Sequence, residues 1–118
     1  MDVLKISSRS NPNAVAGAVA GAVRRDATCQ LVAVGAGALN QAVKAVAIAR
    51  ELLRPEGVDA VCSPVFLHLN IDGSERTALG LTVEHRPAPM VDLRDAPVAA
   101  VTALESEVVG RGAEPTAL

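Results

Sequence analysis

Tryptophan and tyrosine are absent from this 118-residue chain, and phenylalanine occurs once, as Phe66. That shortage counts against binding modes in which bases stack on exposed rings, as on RRM or OB-fold surfaces. If nucleic acid is the ligand, phosphate and groove contacts must carry the binding. Cysteine is scarce too. Cys29 and Cys62 both lie in apolar runs, and neither has a second Cys or a His at metal-finger spacing, so both are expected to be reduced, buried and poorly reactive. No apolar run approaches the roughly 20 residues of a membrane span. The start, Met1-Asp2-Val3-Leu4-Lys5, lacks the basic-then-apolar pattern of a secretory signal. A soluble cytoplasmic protein with no membrane partner is the expectation.

What is present is half apolar and dominated by Ala, Val and Leu, which calls for a core of small, closely approaching elements. The length suits one domain, burying roughly two thirds of the surface of the unfolded chain. The net charge of −2 is unevenly spread. Residues 1–86 hold nine Lys or Arg against eight Asp or Glu, a balance of +1, while residues 87–118 hold two against five, a balance of −3.

Val3 to Ile6 has the composition of a short strand, and the polar run Ser7 to Asn13 ends in a helix start, with Asn11 as cap and Pro12 in the first helical position. Helical spacing of Val15, Val19, Ala22 and Val23 carries that helix to Arg25. Gly17 and Gly21 share one of its faces, and close packing on a sheet would compensate their low helix propensity. Thr28 to Val34 is a second strand, broken by Gly35-Ala36-Gly37. A long helix follows from about Ala38 to Arg54, with Leu39, Ala42, Val43, Val46, Ala49 and Leu53 as its apolar stripe and Pro55-Glu56-Gly57 as its stop. Val58 to Ile71 and about Arg76 to His85 alternate as strands around Asp72-Gly73, a hairpin turn signal. Leu79, Leu81 and Val83 face the core. The order is β-α-β-α-β-β. Beyond Arg86 comes Pro87-Ala88-Pro89. Val98, Val101, Leu104 and Val108 then mark a short amphipathic helix in a C-terminal extension, residues 87–118.

Three stretches carry a resemblance: Pro12 to Ala18; Val34-Gly35-Ala36-Gly37-Ala38-Leu39-Asn40-Gln41-Ala42-Val43-Lys44 continuing to Arg50; and Ile71-Asp72-Gly73-Ser74-Glu75-Arg76-Thr77-Ala78. Over about Asp2 to Arg86 the chain resembles the stage V sporulation protein S family, which is bacterial and linked to sporulation and developmental regulation. The resemblance implies an Alba-like α/β (α+β) fold, a two-layer β1α1β2α2β3β4 domain over residues 1–86. It also implies a homo-oligomer that binds DNA or RNA through the loop after β1, the loop before α2 (Gly35 and Gly37) with the start of that helix, and the β3–β4 hairpin. In this sequence those regions hold Arg9 and Asn11, then Asn40, Gln41 and Lys44, then Arg76.

The residues themselves leave more than one reading open: the near-neutral body and acidic tail suit a structural module, and the resemblance favours nucleic-acid binding. Small residues at Gly35-Ala36-Gly37, between a strand and a helix, let backbone N–H groups approach an anion, although a tight turn alone also explains them. The third glycine of a dinucleotide fingerprint is missing. Asn40 and Lys44 share a helix face at i, i+4 and could contact phosphates or base edges, or form an ordinary solvated face. His68 and His85 have no partner cluster for a metal or a triad. No nucleophile has a base that can be placed beside it, so no enzyme and no cofactor are expected. Two rivals to a nucleic-acid-binding regulator remain: a self-assembling structural or interaction module, and a binder of small anions or nucleotides at the Gly35–Gly37 turn.

Overall fold

The computed structural model describes residues 1–87. The elements are β1 (Asp2–Ile6), α1 (Pro12–Asp26), β2 (Thr28–Ala33), α2 (Ala36–Leu53), a 3-10 turn at Arg54–Glu56, β3 (Val58–Ile71) and β4 (Ser74–Pro87). This is the α+β order expected from periodicity. The amphipathic helix expected in the C-terminal extension lies outside the described residues. The sheet order is β1-β2-β4-β3, with β1 parallel to β2 and the other pairs antiparallel. β4, the last of the described strands in sequence, therefore sits inside the sheet, and β1 and β3 form its edges.

Local chemistry sets the boundaries. Asn11 Oδ1 accepts hydrogen bonds from the Asn13 and Ala14 N–H groups while Pro12 opens α1. Gly57 ends the turn after α2 with φ +72°, a left-handed conformation that suits glycine. Asp72 and Gly73, at φ +51° and +79°, form the two-residue hairpin turn. The core lies between the helices and one face of the sheet: Val19, Val23, Cys29, Leu31, Ala42, Ala45, Ala49, Leu53, Leu81 and Val83 are all buried there. Leu79 is only partly buried.

Several expectations change. Gly17 is exposed, and a Cβ added at Gly17 or Gly21 would meet nothing within 4 Å, so these glycines do not mediate close packing. Ala16 and Ala20, fully buried, take that role. Val43 is 51% exposed, because it lies on the flank of α2 and outside the arc that the sheet covers. Cys62 is exposed as well. It pairs with Val83 and so shares the helix side of the sheet, but β3 is an edge strand there and no helix covers it. Cys29 is buried, and burial is the main cause that pushes its thiol pKa up, with the Asp2 charge second. Rapid labelling of the native protein with a thiol reagent is therefore expected to modify Cys62 and spare Cys29 until denaturant is added.

One buried charge is built into the body. Asp59, its side chain 5% exposed, accepts hydrogen bonds from Arg50 Nε at 2.7 Å, Arg50 Nη2 at 3.1 Å and Arg86 Nε at 3.2 Å. These contacts tie the last turns of α2 to the start of β3 and the end of β4. Burial alone would raise the Asp59 pKa and is the largest single influence. The Arg50 hydrogen bonds, the Ala60 N–H, the Arg50 charge and Arg86 together outweigh it, and the carboxyl is held below its usual range.

Candidate nucleic-acid interface

The N-terminal end of α2 is where separate segments meet. Gly35 has φ +92° and ψ +161°, a conformation confined essentially to glycine, so the turn out of β2 depends on it. Gly37 has a different role. A Cβ there would stand 2.9 Å from Ser8 Cβ, so the missing side chain lets the β1–α1 loop lie against the first turn of α2. Gln41 Nε2 then donates to the Ser10 carbonyl at 2.8 Å and fastens the loop in place. Within the loop the Ser7 hydroxyl accepts from the Arg9 N–H and the Ser10 hydroxyl from the Ser7 N–H.

The expected site residues are thus distributed as follows. Arg9 and Asn11 lie exposed on a loop docked against the turn that holds Gly35 and Gly37, while Asn40 and Lys44 are exposed on the outer surface of α2. Gln41 and the Asn11 oxygen are committed to structural hydrogen bonds. Arg76 is exposed opposite Leu69 in the hairpin. By strand alternation it shares the side of Gly80 and Thr82, turned away from the helices, and so does not join the others around α2.

The helix end itself is electropositive and open. Gly35 supplies no side-chain cap and the first turn contains no acidic residue, leaving the first N–H groups of an 18-residue helix available to an anion. Beside it lies a cleft of about 320 Å³ lined by Ala33, Gly35, Ala36, Leu39, Phe66 and Thr77 to Leu79. Phe66 is the residue that sequence reasoning passed over. The single aromatic ring of the chain is 74% exposed on the hairpin side facing α2. The signal available was its strand side, shared with the polar His68 and Asn70.

Among the described residues no group of three or more His, Cys, Asp or Glu side chains could hold a metal ion, and no helix is long and apolar enough to cross a membrane. The family model for stage V sporulation protein S matches residues 2–86. The chain belongs to the stage V sporulation protein S family. Membership makes it a sporulation-related protein of a non-enzymatic, regulatory type of family. The matched span covers every described element except the last residue of β4, so the docked loop, the glycine turn and the hairpin turn all fall within the part shared with stage V sporulation protein S.

Proposed function

We propose that the chain is a nucleic-acid-binding regulatory protein that acts in the cytoplasm as a homo-oligomer. The observation that carries this reading is the uncapped, carboxylate-free start of α2, against which the β1–α1 loop is docked through Gly37 and Gln41. Arg9 on that loop and Asn40 and Lys44 along α2 are exposed donors that support the reading, while Arg76 is an exposed cation on the other face of the hairpin. Each chain brings few cations, so pairing of copies doubles a weak surface. The exposed apolar side chains of Val43, Val65 and Ile71 favour a second reading, a self-assembling interaction module without nucleic acid.

Binding of the full chain to single- and double-stranded probes at two salt concentrations, with its mass measured by light scattering, separates the two. The expected result is weak, largely sequence-independent binding that falls steeply with salt, by a particle larger than one chain. An intact oligomer that binds neither probe at low salt would establish the second reading.

A further inference from the structure

We propose that the cleft between the first turn of α2 and the hairpin receives one unstacked nucleobase against the Phe66 ring, so that the bound nucleic acid is single-stranded at that point. This rests on the nucleic-acid reading above and adds to it the form of the ligand. A Phe side chain normally contributes to the core, where burial stabilises it by about 1.5–3 kcal/mol; here the sole aromatic of the chain is left on the surface, on the wall of an apolar cleft. At about 320 Å³ the cleft lies at the small end of the range for ligand pockets, enough for one planar ring system and not for a helix or a strand. Its lining carries no charged side chain, and Thr77 supplies its one side-chain polar group. Immediately beside this apolar space is the positive end of α2. A flat ring joined to an anion has the complementary shape and charge: the base enters the cleft and its phosphate meets the free N–H groups. Stacking of this kind tolerates any base, because every base offers a π-face. A base held within a duplex stack cannot enter.

The test uses the full chain and four labelled probes: an oligothymidylate, an oligouridylate, a wholly abasic strand of equal charge and a duplex. The wild type is expected to bind both base-bearing strands about five- to a hundred-fold more tightly than the abasic strand. In Phe66→Ala and Phe66→Leu that preference should disappear, while affinity for the abasic strand, the salt dependence and the mass in light scattering stay unchanged. Equal discrimination by wild type and variants would overturn the proposal and leave the wider reading standing. A Phe66 variant that changes mass and loses the abasic strand as well would assign the ring to contact between copies, which also overturns it. Binding of no probe by the wild type would remove the nucleic-acid reading itself, and the cleft proposal with it.

Discussion

Replacing Lys44 with Glu is expected to weaken nucleic-acid binding by about ten-fold or more at low salt and to flatten its salt dependence by roughly one phosphate contact per site. Lys44 is exposed one helical turn beyond Asn40, on a helix whose N-terminal end already favours anions. Reversal there changes the local charge by two where a phosphate would lie. The same substitution at Arg111, in the acidic extension, should have far less effect. Removing residues 88–118 should strengthen binding, because that segment carries all of the −3 balance of the chain after Arg86. The oligonucleotide assay under Proposed function reads all three. Equal losses from Lys44→Glu and Arg111→Glu would show that only total charge matters and that the start of α2 is not the site.

The second large effect concerns stability. Arg50→Met is expected to lower it by about 2 kcal/mol, below the usual 3–5 for breaking a buried pair because the guanidinium is 48% exposed and water reaches it. A domain of this size should then melt roughly 10 °C lower. Asp59→Asn should cost less than Arg50→Met, since the two freed guanidinium groups are half-exposed and rehydrate, whereas losing Arg50 leaves a buried carboxylate with Arg86 alone. The pH dependence has a definite sign. The Asp59 pKa is depressed in the folded state, so the stabilisation is fully present above the unfolded value near 4 and is lost as pH falls through the lower folded value. The gap in stability between wild type and Asp59→Asn should therefore be constant near neutrality and close under acid. Denaturant melts at neutral pH and at pH values below 4 check both statements; a gap that widens in acid would reverse the assignment.

Most of the fold was legible because its signals are local. Asn11-Pro12 and Asp72-Gly73 act through their own backbone, and the alternation of β4 separates Leu81 and Val83 from Thr82 whatever lies elsewhere. The misses share another origin. The stripe on α2 includes Val43, yet whether a neighbour covers that flank depends on how far the sheet extends beneath it. Cys62 and Phe66 lie on the helix side of β3 in perfect register with Val83 and Leu79, and their exposure follows from β3 being an edge strand. The spacing of Gly17 and Gly21 marks a helix face but does not say what that face meets. In the site, the Gly35 turn could be read from composition. The commitment of Gln41 to the Ser10 carbonyl could not, since it joins residues 31 apart.

The position of β4 has a consequence for how the chain is made. Strands emerge from synthesis in the order 1, 2, 3, 4, yet they sit side by side as 1, 2, 4, 3. Until Leu79 to Glu84 exist, Cys29, Leu31 and Ala33 have a partner strand on one side only, and β3 has no place in the sheet at all. A nascent chain that ends before residue 79 holds α1, α2 and β1 to β3 but cannot close the described sheet. Completion thus waits on a single late segment, and a translational pause within the β3–β4 hairpin would hold apolar strand surface open to other chains for as long as it lasts.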